Sequence, residues 1–205
     1  MTHKPPVIAM DLEGVLVPEI WIAVAVKTGI DALRLTTRDV SDYDKLMRGR
    51  LDILKSHSLT ITDIQEVIST LDPLDGAKNY LDRIRKVTQL ILLSDTFYEF
   101  AYPLMKKLDY PTLFCNSLII DEHGTITGYQ LRKKDGKRTA VKALKECGFR
   151  VLAVGDSYND TTMLGEADAG ILFNAPQNVA DEFPQFPRLT DFDRLFEAVS
   201  DFIVR

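Results

Sequence analysis

Acidic residues recur where apolar runs stop. Val7-Ile8-Ala9-Met10 is followed by Asp11-Leu12-Glu13-Gly14, and Val151-Leu152-Ala153-Val154 by Gly155-Asp156-Ser157-Tyr158-Asn159-Asp160. Leu90-Ile91-Leu92-Leu93 ends at Ser94-Asp95-Thr96, and Lys137 lies in the basic run Arg132 to Arg138. Short continuous apolar runs suit strands buried on both faces, and in open α/β sheets ligands collect at the carboxyl ends of such strands. Asp11 then stands at the ligand edge, where we read it as a nucleophile; the alternative is that an acid there merely ends the strand. Lys137, taken alone, could be part of a solvated basic run at a helix start. Together, Asp11, Glu13, Ser94, Lys137, Asp156 and Asp160 make a metal and phosphate set. Carboxylates cannot crowd together ionised without a cation, and hard oxygen ligands suit Mg²⁺ rather than zinc. A phosphate dianion beside them needs an ammonium and a hydroxyl or N–H donor, which Lys137 and Ser94 supply.

These residues need a sheet to bring them together. Strands separated by helices of about ten residues predict an α/β fold, a doubly wound parallel sheet with helices on both faces. The pattern is interrupted between Glu19 and about Leu71, where it is helical throughout. We therefore expect a core from residues 1–17 and 73–205 and a helical cap from residues 18–72 inserted after the first strand. Trp21, Ile22, Val24 and Ala25 mark a first helix, stopped by Gly29. Tyr43, Leu46, Met47, Leu51 and Leu54 share one face of a second, which starts near Asp42. A third runs from Thr62 to Thr70, capped by Thr60 or Thr62. Arg50 falls on the apolar face of the second helix, so it should meet a buried acid or an anionic ligand. Asp121-Glu122-His123-Gly124, between Leu118-Ile119-Ile120 and Thr125 to Tyr129, signals a β-hairpin. Phe192, Leu195, Phe196, Val199, Phe202 and Ile203 predict a final helix.

With 205 residues, 45% of them hydrophobic and 27% charged, the chain has the composition of a globular protein. Its net charge of -5 argues against nucleic acid or an anionic membrane as partner. No apolar run suits a signal peptide or a membrane span, so a cytoplasmic protein is expected. Cys115 and Cys147 make neither a disulfide framework nor a metal cluster and are expected as buried thiols. His3, His57 and His123 are scattered and are assigned to the surface.

Asp11-Leu12-Glu13-Gly14-Val15 and Gly155-Asp156-Ser157-Tyr158-Asn159-Asp160, with Ser94 and Lys137 in order between them, resemble the four motifs of the haloacid dehalogenase-like phosphohydrolases. The insertion after the first motif resembles the cap of the phosphoserine phosphatase family. There Glu19 matches a residue that meets the substrate amino group, Arg50 one that holds its carboxylate, and Tyr43 an aromatic that packs over it. The resemblance implies that Asp11 takes the phosphoryl group while Glu13 acts first as acid and then as base. It also implies Mg²⁺ held by Asp11, the carbonyl of Glu13, Asp156 and Asp160, phosphate bound at Ser94, Asp95 and Lys137, and Asn159 orienting the loop beside the substrate.

Glu13 stands where the family usually has Asp, Gly14-Val15 replaces a hydroxyl pair, and Asp95-Thr96 follows Ser94 where small residues are common. With Asp-Leu-Glu-Gly-Val-Leu-Val-Pro-Glu, Ser-Asp-Thr-Phe-Tyr-Glu-Phe and Gly-Asp-Ser-Tyr-Asn-Asp-Thr-Thr-Met, the chain looks like the bifunctional phosphoserine phosphatase/homoserine phosphotransferase branch, the ThrH type. The implied substrates are phosphoserine and, as phosphoryl acceptor, homoserine; a homodimer is compatible with this. Rival readings are a phosphatase for another small phosphomonoester, since caps choose substrates, and a phospho-acceptor signalling domain. The helical insertion and the second carboxylate argue against the latter.

Overall fold

The computed structural model describes residues 4–36, 39, 40 and 42–204. The surface expectation for His3 lies outside these residues. The first strand, β1 (Pro6–Met10), is central in the sheet. Its neighbours are β2 (Gln89–Phe97) and β5 (Arg150–Gly155), both parallel to it, with Met10 in register with Leu92 on one side and Val154 on the other. Alternation along the strand explains why its apolar run is unbroken. Ile8 and Met10 enter one core cluster together with Leu152 and Val154, while Val7 and Ala9 enter a second with Val151 and Ala153. Burial on both faces leaves no position for a polar side chain until the strand ends, and there the acids begin.

The full order is β4-β3-β2-β1-β5-β6-β7, with β3 (Thr112–Ile120), β4 (Ile126–Gln130), β6 (Ala169–Phe173) and β7 (Arg188–Leu189). Every pairing is parallel except β3 with β4. The core of the fold is thus the α/β sheet expected. Its remaining helices are α4 (Ala77–Ile84), α5 (Tyr98–Lys107), α6 (Gly136–Glu146), α7 (Thr161–Glu166), α8 (Gln177–Glu182) and α9 (Phe192–Val204). Apolar residues of α4, α5 and α9 join the first cluster; those of α6, α7 and α8 join the second.

Between β1 and α4 the chain forms α1 (Ile20–Thr28), a turn of 3₁₀ helix at Asp31–Arg34, α2 (Tyr43–Ser56) and α3 (Ile61–Ser69). Gly29 ends α1 at φ 72°, Asp42 caps α2 by accepting from the Lys45 N–H, and Thr60 with Asp63 makes a reciprocal capping box on α3. Val24, Met47, Leu54, Ile64 and Ile68 share their apolar cluster with Ile8 and Met10 of β1.

Some expectations change. The two apolar stretches around Asn116 form one strand, because β3 continues past the parallel sheet into the hairpin with β4. The hairpin reaches the inserted helices: Gly124 O accepts from Ile61 N–H (2.8 Å) and Tyr129 donates to Asp44 (2.7 Å). Cys115 is buried as expected, but Cys147 is exposed. It occupies the position just after α6, beyond the last turn that packs on the sheet. His57 and His123 are at the surface. The short elements α7, α8 and β7 were not anticipated.

Candidate active site

The end of β1 closes on a buried ammonium. Asp11 continues the β-ladder through its N–H to Val154 O (2.9 Å), and its Oδ1 accepts from Leu12 N–H (2.7 Å). Oδ2 is then aimed at Lys137 Nζ, 2.9 Å away. Lys137 is the second residue of α6 and only 4% exposed, so it is not part of a solvated basic face. A cation in the first turn opposes the helix dipole, so carboxylates must hold it there. Asp160, fully buried, supplies Oδ1 at 2.7 Å, and Asp95 Oδ2 lies at 3.7 Å. Burial works against the Lys137 charge, but Asp11, Asp160 and Asp95 outweigh it and raise its pKa well above the usual lysine value.

Asp160 is positioned by backbone. Its Oδ2 accepts from the N–H groups of Asp156 (2.9 Å) and Ser157 (3.2 Å) in the turn after β5. That turn is possible because Gly155 has no side chain: a Cβ there would stand 2.4 Å from Asp160. Gly14 does the same for Asp156, since its φ is +76° and a Cβ would lie 2.5 Å from Asp156 Oδ2. Both glycines of the acidic motifs are therefore explained by close approach of a carboxylate.

Carboxylate oxygens of Asp11, Asp156 and Asp160 lie within 4.8 Å of one another. Crowding shows in their proton affinities. Burial raises the Asp11 pKa well above the carboxylate range, with Asp160 adding to it. Burial, Asp160 and Glu19 push Asp156 up to about 7. A single ammonium does not neutralise the group, and its hard oxygen donors fit a divalent cation. Both oxygens of Asp11, through Leu12 N–H and Lys137, and both oxygens of Asp160, through Lys137 and the Asp156 and Ser157 N–H groups, already have partners.

The Glu13 side chain stands apart from that cluster. Its Oε2 accepts from the Ile20 N–H (2.8 Å), the first residue of α1. Burial first, then Glu19, raise its pKa to about 7, against the hydrogen bond from Ile20 and one from the Thr96 hydroxyl. A carboxyl balanced near neutrality can both give and take a proton.

Arg50 is 8% exposed and packs its guanidinium 4.5 Å over the Trp21 ring. It donates to Leu35 O (2.7 Å) and toward Met47 Sδ (3.6 Å), whereas its Nε has no hydrogen-bond partner among the described residues. Burial lowers its pKa to about 10, partly offset by Tyr43, Glu13 and Glu19. Burial also raises the Tyr43 pKa, and Asp95 adds to this. The exposed Glu19 precedes α1 and acts electrostatically on Glu13, Asp156 and Arg50 alike. Tyr43, Glu13 and Glu19 are thus all near enough to Arg50 to act on its ionisation.

Ser94 is buried at the turn of β2, where its Oγ accepts from Thr96 N–H (3.2 Å). The β2–β3 register breaks between Leu93 and Phe97, and Asn116 spans the break by donating to Asp95 O and accepting from Arg132 N–H, both at 3.0 Å. Asn159 donates to Asp95 Oδ2 (3.0 Å). The sequence reading missed Trp21 as a neighbour of Arg50, Thr96 as a partner of Glu13, and Asn116. An Asn in the middle of a β-rich run was the available signal for the last, since Asn is disfavoured in strands.

The model for the haloacid dehalogenase-like hydrolases matches residues 5–168, and the chain belongs to that family. Within it, the chain is 62% identical to a phosphoserine phosphatase of Pseudomonas syringae pv. tomato over 91% of its own length and 78% of the relative's. It is 61% identical to the phosphoserine phosphatase ThrH of Pseudomonas aeruginosa over 91% of each chain. The fold is that of a substrate-bound phosphoserine phosphatase structure (TM-score 0.78, 21% identity, covering 96% of this chain and 99% of that one). No helix among the described residues is long and apolar enough to cross a membrane.

Proposed function

We propose that the protein is a Mg²⁺-dependent phosphoserine phosphatase that also passes the phosphoryl group to homoserine. The observation that carries this reading is the pairing of Asp11, fixed by Lys137 at 2.9 Å, with a Glu13 carboxyl whose pKa is about 7. One buried acid is oriented as a nucleophile, and its neighbour is poised to move a proton. Similarity to the two Pseudomonas enzymes supports the choice of substrate.

In the first step, Asp11 Oδ attacks phosphorus, and its new O–P bond replaces the bond to the serine oxygen. Glu13 gives that oxygen its proton. In the second step, water or an alcohol gives a proton to Glu13 and its oxygen displaces Asp11 from phosphorus. Both residues return to their starting forms. Lys137 and Ser94 hold the phosphoryl oxygens, joined by the Asp95 main chain, while Asn159 orients the loop. Asp11, the Glu13 carbonyl and Asp156 would hold Mg²⁺, with Asp160 as a further ligand or as their support. Bound there, Mg²⁺ supplies positive charge to the phosphoryl oxygens and relieves the repulsion among the acids.

Arg50 takes the substrate carboxylate as a bidentate fork, with its unpartnered Nε among the donors. Glu19 takes the ammonium group, and Tyr43 covers the carboxylate. Residues 18–72 act as the cap that delivers these groups. Homoserine is serine with one more methylene, so the same contacts serve either amino acid. The reading carries with it a cytoplasmic location, where free amino acids are phosphorylated and consumed.

The test is to supply phosphoserine and Mg²⁺ with and without homoserine and to follow phosphorus by NMR. Homoserine phosphate is the expected second product. Release as free phosphate alone would leave the phosphatase and remove the transfer.

A further inference from the structure

The Asp95 carboxylate is held at both ends of its residue. Asn116 donates to its main-chain oxygen at 3.0 Å, and Asn159 donates to its side-chain Oδ2, also at 3.0 Å. Its Oδ2 comes within 3.7 Å of Lys137 Nζ. Of the acids around that ammonium, Asp11 and Asp160 are buried, whereas the Asp95 side chain is 47% exposed. It also lies close enough to Tyr43 to act on its ionisation from beneath the inserted helices. An anion fixed on Lys137 and Asn159 sits where an incoming phosphate would seek its own donors.

We propose that Asp95 is a built-in competitor for the phosphate seat, one that sets the enzyme against retaining free phosphate. The inference rests on the phosphate-site reading given above. Its physical basis is charge. Inorganic phosphate near neutrality carries between one and two negative charges and must share Lys137 with a fixed carboxylate, and the two repel each other. A phosphate ester brings further contacts, at Arg50 and Glu19, that offset the repulsion; the free ion has none. Asp95 therefore disfavours product and substrate alike, but only the ester has those other contacts to hold it, which leaves the seat open for the next ester.

Asp95→Asn removes the charge and keeps the shape and one acceptor oxygen. In the Mg²⁺-loaded protein, inorganic phosphate should bind at least about tenfold more tightly to this variant, as expected when a unit negative charge is removed from beside the ammonium that holds the anion in a partly screened site. Isothermal calorimetry with inorganic phosphate reads this directly and does not depend on which ester is the natural substrate. Asp95→Ser, also uncharged, should move affinity in the same direction if the Asn variant folds poorly. Phosphate affinity unchanged or weakened in a folded variant would overturn the proposal, because the carboxylate would then be neutral toward the anion or helpful to it. Failure of the phosphoserine reading alone would appear differently, as tight phosphate binding without turnover of phosphoserine.

Discussion

Lys137 Nζ and Asp11 Oδ2 stand 2.9 Å apart, and both side chains are closed off from solvent. The pair orients the carboxylate, but it also makes the site depend on its own charge balance. Replacing Lys137 by Met should cost about 3–5 kcal/mol of stability at neutral pH without Mg²⁺, since Asp11 and Asp160 would be left buried and unpaired. Urea unfolding measures this, and added Mg²⁺ should restore part of the loss. A change below about 1 kcal/mol would mean that the acids simply take up protons.

Asp11→Asn should abolish turnover while the chain still folds and binds phosphate. No phosphoenzyme should be trapped from phosphoserine in the variant, whereas the parent should show one by mass spectrometry after rapid quenching. Retained phosphatase activity in a pure variant would dismiss Asp11 as nucleophile.

Glu13→Asp tests the added methylene. A shorter acid shifts the proton acceptor by about a bond length, and a misplacement of about 1 Å can cost 10²-fold. We expect the ratio of homoserine phosphate to free phosphate to fall, by about tenfold or more. An unchanged ratio would place acceptor choice in the inserted helices instead.

Arg50→Ala should raise KM for phosphoserine by about 10²-fold, corresponding to the ~1.5–3 kcal/mol of a charge-assisted hydrogen bond. An ester without a carboxylate should lose little. Equal losses on both would show that Arg50 serves only to pack Trp21 against the second helix.

Metal-free protein should become less stable as pH rises from about 4 to about 8. Asp156 and Glu13 have folded pKa values of about 7, and Asp11 is raised too, against ordinary values near 4. The folded state therefore holds protons that the unfolded chain has released, and stability falls with pH across that window. Lys137, raised above its usual value, stays protonated throughout and adds no slope there. Thermal melts at pH 5 and pH 8 in a chelator should show the drop, and saturating Mg²⁺ should diminish it. A melting temperature that climbs with pH in the chelator would contradict the crowding of the acids.

The sequence exposed those parts of the molecule whose cause is local. β1 and β5 were readable because strands buried on both faces are apolar throughout, and Asp11 and Asp156 because they follow directly. Arg50 stood out as a charge on an apolar helix face. What escaped depended on distant partners. Thr96 gained its meaning from Glu13, and Asn116 from Asp95 and Arg132. The end of β2 was placed too early, since Ser94-Asp95-Thr96 looks like a terminus, yet Asn116 carries the strand across it. The two-residue β7 has too little pattern to be seen at all.

The hairpin formed by β3 and β4 meets the inserted helices at both Gly124 and Tyr129, far along the chain from where those helices leave and rejoin the sheet. The helices are therefore moored at a quayside as well as joined to the sheet by the chain. Any movement of these helices away from the hairpin has to break the Asp44–Tyr129 and Ile61–Gly124 hydrogen bonds, so the hairpin, which bears no reacting group, restrains them.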